Sequence, residues 1–188
     1  MTDGLRRACA PLDIPTLETE RLILRGYRAE DAPAVAALQG DAEVQRHMGG
    51  RLDATLKGAY AKMLNHTALW HFRGFGKWGV EEKASARLIG RVGFLDYPYE
   101  WPGLELGWTL MPEFWGKGYA SEAGRAALDW GFETLGAARV LSMIQPANDA
   151  SINVARKLGM TYWRLWDDED GPQQLWSVTR DDWAARVR

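Results

Sequence analysis

One stretch sets the terms for the rest of the chain: residues 104–136, LELGWTLMPEFWGKGYASEAGRAALDWGFETLG. Leu104, Leu106, Trp108 and Leu110 alternate with Glu105, Gly107 and Thr109, the two-residue period of a strand. Pro112 ends that run, because proline has no N–H to give to a ladder. Gly116-Lys117-Gly118-Tyr119-Ala120 then opens a helix. Ala120, Ala123, Ala127, Gly131 and Leu135 form its apolar stripe, and Ser121, Glu122, Arg125, Asp129 and Glu133 face away.

A glycine loop that feeds a helix start suits an anion. Glycine lets the backbone turn tightly and come close to a ligand. The first helical N–H groups lack intrahelical partners, and the helix dipole adds partial positive charge. Two known phosphate motifs fail here. No Gly-Lys is followed directly by Ser or Thr, as a P-loop requires. The dinucleotide fingerprint needs a third glycine where Ser121 stands, and an acid about 20 residues on, where residues 136–138 are Gly-Ala-Ala.

A third pattern fits. Trp115-Gly116-Lys117-Gly118-Tyr119-Ala120 resembles the acyl-CoA pyrophosphate loop of the GNAT acetyltransferase superfamily, with Trp115 where Gln or Arg is usual. The ribosomal-protein-alanine N-acetyltransferase branch shares that departure. Asn148-Asp149-Ala150-Ser151 with Lys157-Leu158-Gly159-Met160 is similar to the family's later segment, and residues 19–25, TERLILR, to its first strand. The matches follow the family's order along nearly the whole chain. The resemblance implies an α/β fold: a mixed central sheet of about seven strands, splayed at the acyl-CoA site and flanked by helices. It implies transfer of an acetyl group from acetyl-CoA to a primary amine, directly within a ternary complex. The sole thiol, Cys9, lies in the N-terminal arm and is no candidate for a covalent intermediate. A non-catalytic acyl-CoA-binding sensor is the rival, since the loop would be the same in both.

The bulk properties agree with a folded enzyme. The 188 residues suit a single domain, with residues 1–15 as a loose arm. The hydrophobic fraction of 46% is ordinary for a globular chain. A net charge of −2 offers nucleic acid no general attraction. One cysteine excludes an internal disulfide framework, and no apolar run is long enough to span a bilayer, so a cytoplasmic location is expected. A homodimer is compatible with the branch.

Taken in order, the chain predicts a strand over residues 17–25 and a helix from Glu30-Asp31 to about His47, with Ala34, Leu38 and Ala42 inward. Gly49-Gly50 stops it. Asp53 caps a second helix to about Phe72, with Leu56, Tyr60, Met63 and Leu64 inward. Strands follow at 77–83 and 88–97, where Gly90 and Gly93 point to a bulge or a close backbone approach. After the central stretch come a strand at 139–144, a short helix from Asn148 to Leu158, a hairpin of 162–166 with 173–178, and a last helical turn or two.

The resemblance assigns roles residue by residue. Gly116, Gly118, Tyr119 and Ala120 offer N–H groups to the pyrophosphate, with Trp115 and Lys117 beside them. The pantetheine arm pairs like an extra strand with main chain near Thr109, Leu110 and Met111, and Asn148 and Asn153 hold its amides. Asn148 reads equally as a helix N-cap. Glu105, an acid inside an apolar strand, is the candidate base, and Ser151 the candidate proton donor to the leaving thiolate. Ala155 stands where many relatives carry a tyrosine acid. Freeing an amine at pH 7 costs about 4.6 kcal/mol for a lysine and about 1.2 for an α-amine, so one carboxylate meets the smaller demand. The acceptor stays open between a protein N-terminus and a small-molecule amine. Trp70, Tyr97 and Trp101 are expected to line its cleft. His66 and His71 do not stack on one helical face, and no Cys or His cluster has zinc spacing, so no metal is expected.

Overall fold

In a computed structural model of the chain, residues 12–49, 52–95, 103–168 and 171–187 are described. The strands are β1 (Leu17–Glu18), β2 (Leu22–Arg25), β3 (Lys77–Glu82), β4 (Arg87–Leu95), β5 (Leu104–Leu110), β6 (Arg139–Ile144), β7 (Thr161–Asp168) and β8 (Gly171–Thr179). They form one sheet in the order β1-β2-β3-β4-β5-β6-β8-β7. Every neighbouring pair is antiparallel except β5 with β6, which is parallel. The helices are α1 (Ala32–Gly40), α2 (Ala42–Gln45), α3 (Leu56–Arg73), α4 (Tyr119–Glu133), α5 (Asp149–Lys157) and α6 (Arg180–Val187). This is the mixed, helix-flanked sheet that the sequence predicts. The eighth strand arises because the first predicted strand is broken. Thr19 N–H turns back to the Leu22 carbonyl at 3.0 Å, and the Arg21 backbone N–H donates to Glu122 of α4 at 2.9 Å rather than to a ladder.

Each face of the sheet has its own cover. On one, Trp78, Phe94, Leu106 and Leu110 pack with Ala123, Ala127, Leu128 and Phe132 of α4 in the main core. Trp70, Trp78 and Trp130 meet edge to face there, with centroids 4.8 to 5.5 Å apart. On the other, Ala32, Val35 and Ala36 of α1 pack against Ala59 and Met63 of α3.

The two early helices depart from the sequence reading. The first ends at Gly40, and Asp41, extended, caps the short α2 through the Val44 N–H at 3.0 Å. Its inward positions include Val35 and Ala36, while Ala42 is exposed. In α3 the cap is Thr55, which accepts from Gly58 N–H at 3.0 Å, while Asp53 braces Thr55. Its buried residues are Ala59, Met63, His66 and Trp70, whereas Leu56, Tyr60 and Leu64 face outward. Apolar side chains stood on two faces of this helix, and contact with α1 and the sheet buried the one carrying Ala59 and Met63. Residues 12–15 of the expected arm are described. Pro15 accepts a hydrogen bond from the Trp78 indole at 2.7 Å, and Ile14 packs against the core.

A buried ion network ties the sheet to α1. Arg25 of β2 forms two hydrogen bonds with Asp31, at 2.8 and 2.9 Å, and a third with Glu81 of β3 at 2.7 Å. The two acids raise the proton affinity of this guanidinium above its already high ordinary value. Removing one side of such a pair leaves a buried charge uncompensated. Asp31→Asn should therefore cost about 3–5 kcal/mol of unfolding free energy, read as a lower urea midpoint with an unchanged slope. A loss below 1 kcal/mol would show that the network contributes little.

Candidate active site

β5 and β6 begin side by side and then part. Their paired positions are Leu104 with Val140 and Glu105 with Leu141, and none beyond. Where the next ladder bond would form, the Ser142 hydroxyl donates to the Leu106 carbonyl at 2.6 Å. At the far end, the Trp115 indole N–H donates to the Leu110 carbonyl at 2.7 Å. The Met111 N–H points the opposite way, to Ile89 of β4, at 2.9 Å. Backbone groups alternate sides along a strand, so Trp108, between Leu106 and Leu110, turns its N–H and C=O into the opening. The Leu110 N–H points there too. The result is an unpaired strand edge inside the molecule. Leu110 and Trp108 present it; Met111, expected to share the task, has its N–H engaged elsewhere.

The glycine loop closes one end of this opening. Gly116 (φ 74°) and Gly118 (φ 83°) both hold left-handed conformations that a side chain would strain. Gly118 is the N-cap of α4, and the first bond of the helix runs from Glu122 N–H to the Gly118 carbonyl at 3.0 Å. The N–H groups of Tyr119, Ala120 and Ser121 precede it and have no intrahelical acceptor. Other residues fix this loop in place. Arg21 donates to the Lys117 carbonyl at 3.1 Å and to Glu122 at 2.7 Å, and its guanidinium lies 4.4 Å from the Tyr119 ring centroid. The Tyr119 hydroxyl donates to Glu82 at 2.6 Å. Lys117 does not line the cleft: its ammonium sits 5.2 Å from the Phe114 ring centroid. The cation contributed here by the later segment is Lys157 of α5.

Two clefts meet across β5. The first, of about 540 Å³, runs over Trp115, Gly116, Gly118, Tyr119 and Ala120 to Asn153 and Lys157. The second, of about 430 Å³, lies between α3 and the sheet face that carries Glu105, Gly107, Arg91 and Lys77. His47, Met48, Trp108, Thr109, Asn148 and Ser151 line both. Glu105 belongs to the second alone, and at 7% exposure it is not the solvent-facing acid that half-buried strands often carry. Asn148 caps α5: its Oδ1 accepts from the Ser151 backbone N–H at 3.0 Å. That bond engages neither the Asn148 amide N–H₂ nor the Ser151 hydroxyl. Asn153 accepts from Arg156 at 3.3 Å.

The predicted acceptor residues fare differently. Trp70 is 5% exposed and its indole donates to the Lys77 carbonyl at 3.3 Å, so it is a core residue and lines neither cleft. Its hydrophobic surface joined the largest core cluster available. Tyr97 and Trp101 lie outside the described residues. Among the described residues, the second cleft is lined by polar side chains that the sequence did not assign to it. His66, 3.2 Å from the Tyr27 hydroxyl, is one, and burial lowers its proton affinity far below the usual imidazole value. Its position in α3, one turn before Trp70 on the same buried stripe, was the only available signal. Among the described residues no group of three or more His, Cys, Asp or Glu is placed to hold a metal. No helix among them is long and apolar enough to cross a membrane.

Known proteins are similar to this chain in sequence and fold. The Acetyltransferase (GNAT) domain matches residues 21–161. The chain is 32% identical over 145 residues to Uncharacterized N-acetyltransferase YoaA of Bacillus subtilis, spanning 77% of this chain and 82% of that protein. The crystal structure of an acetyltransferase from Agrobacterium tumefaciens superposes with a TM-score of 0.79 at 32% identity, covering 93% of this chain and 100% of the other. Ribosomal-protein-S5-alanine acetyltransferase from Vibrio fischeri gives a TM-score of 0.76 over 90% of this chain and 99% of the other, a likeness of fold at 21% identity. The match spans the split strands, the glycine loop and the Asn148–Ser151 helix start alike: the chain belongs to the GNAT acetyltransferase family and is an N-acetyltransferase.

Proposed function

We propose that the protein moves an acetyl group from acetyl-CoA to a primary amine, and that the two substrates enter from opposite sides of β5. The observation that carries this reading is the meeting of two clefts at Trp108, Thr109, Asn148 and Ser151, with the glycine loop on one side and Glu105 on the other. The first cleft fits acetyl-CoA. Free N–H groups of Tyr119, Ala120 and Ser121 suit its pyrophosphate, and the open edge at Trp108 and Leu110 suits the pantetheine amides.

Glu105 takes the proton, directly or through a water, as the amine nitrogen bonds to the thioester carbon. A main-chain N–H on the open edge of β5 stabilises the negative carbonyl oxygen of the tetrahedral intermediate. When that intermediate collapses, the C–S bond breaks and the Ser151 hydroxyl donates to the departing sulfur. Ser151 suits this task because its backbone, not its hydroxyl, is engaged by Asn148. The burial of Glu105 and the enzyme family both favour catalysis over the sensor that the loop by itself would allow.

Glu105→Gln should lower kcat by about 10²–10⁴-fold, the span of a lost general base, without changing acetyl-CoA affinity in a calorimetric titration. Ser151→Ala should lower kcat by at least ~10-fold, and its α5 cap should survive because Asn148 remains. Unchanged turnover in either variant would remove that residue from the mechanism. Gly118→Val tests the loop. A left-handed conformation costs a side-chain residue about 1–2 kcal/mol, so acetyl-CoA affinity should fall about tenfold or more; wild-type affinity would separate the loop from binding.

A further inference from the structure

The second cleft has a cationic wall that the proposed chemistry does not use. Paired positions across the sheet put Arg91 beside Thr109, Lys77 beside Gly93, Gly93 beside Gly107, and Glu105 beside Leu95, so all four polar side chains share one face. The two glycines leave a trough over which the Lys77 side chain lies: a Cβ on Gly107 would stand 3.0 Å from its ammonium nitrogen. Lys62 of α3 adds a third cation at the rim. Glu105 is the one acid lining this cleft among the described residues.

Arg91 is 5% exposed, and among the described residues no carboxylate lies within ion-pair distance of it. Among the described residues its Nε has no hydrogen-bond partner, and its Nη2 reaches the Met48 sulfur, at 4.0 Å. The contrast with Arg25 is direct. That guanidinium, equally buried, is held by Asp31 and Glu81. A buried charge without a counter-ion is costly to maintain, and among the described residues one arginine is fully paired while the other faces a cavity. Tyr27 and His66 do not supply an anion to Arg91. Burial pushes the Tyr27 hydroxyl up to about 12, so it stays neutral, and His66 stays neutral as well. Burial together with the Arg91 charge pulls the Lys77 ammonium down to about 7, a penalty that an arriving anion would relieve.

We infer that the acceptor is a small amine that carries a carboxylate, taken by Arg91 with Lys77 while Glu105 serves the amine. This rests on the acetyl-transfer reading and narrows it. A guanidinium fork matches a planar carboxylate with two parallel bonds. A polyamine, by contrast, would place added positive charge against two buried cations.

The test is steady-state acetylation of amino acids, each paired with its own amide, beside spermidine and short N-terminal peptides. Both members of a pair present the same amine, and the amide's is the less basic, so intrinsic reactivity favours the amide. The best amino acid should exceed its amide by about 10²-fold in kcat/KM, the discrimination expected of a charged hydrogen-bonding partner. Arg91→Met should erase that preference through KM, with acetyl-CoA affinity unchanged as evidence of folding. Arg91→Lys should retain part of it, and Lys77→Met is the second variant should the first not fold. A best amide or spermidine that equals the best amino acid overturns the inference. Turnover of peptides alone overturns it and leaves the transferase reading intact. Acetyl-CoA binding with no amine turned over defeats both.

Discussion

Everything functional in this fold depends on two strands failing to stay together. A parallel pair normally continues its ladder, because unpaired backbone groups inside a protein are costly. Here β5 and β6 pair for two positions and separate, and each end of the gap is closed by a side chain acting on a carbonyl: Ser142 on Leu106, and Trp115 on Leu110. The groups between those two bonds remain available to a ligand with amides of its own. The split strand also carries Trp108 and Thr109, which line both clefts, so the same defect sets where the two clefts meet.

The glycine loop is held in place by groups outside itself. Two left-handed glycines give it shape, and Arg21 and Glu82, from the other end of the sheet, fix its position. Arg21 reaches Lys117, Tyr119 and Glu122 at once, which is why the first strand breaks where it does. A kink in the sheet edge and a preorganised anion site are thus one structural event. Orientation held in advance lowers what binding must spend on ordering.

Charge is distributed unevenly between the two faces of the central strands. Leu106 and Leu110 bury one face of β5 in aromatic and aliphatic core, while Glu105 and Gly107 look into the cleft beside Lys77 and Arg91. Burying these ionised groups costs stability, and the apolar face, with its tryptophan cluster, offsets it. The ion network at Arg25 is built from the same residue types but closes on itself. That difference separates Arg25, paired on both sides, from Arg91, which has no carboxylate beside it among the described residues.

The sequence by itself determined the central strand, the glycine loop, the helix after it and the later Asn148–Ser151 helix start, because these signals are local. Two-residue alternation, left-handed glycines and caps act over a few neighbours and need no distant partner. Glu105 was legible for the same reason, as a charge inside an apolar run. Tertiary structure decided what depended on competition between faces. Trp70 went to the core because two other tryptophans waited there, and α3 buried Ala59 and Met63 rather than Leu56 and Leu64 because α1 lies close. Met111 lost its expected place to a ladder bond with Ile89, and Arg91 and Lys77 became neighbours only through strands remote in sequence. Whether a buried cation finds a carboxylate is a matter of three-dimensional proximity, and no pattern along the chain encodes it.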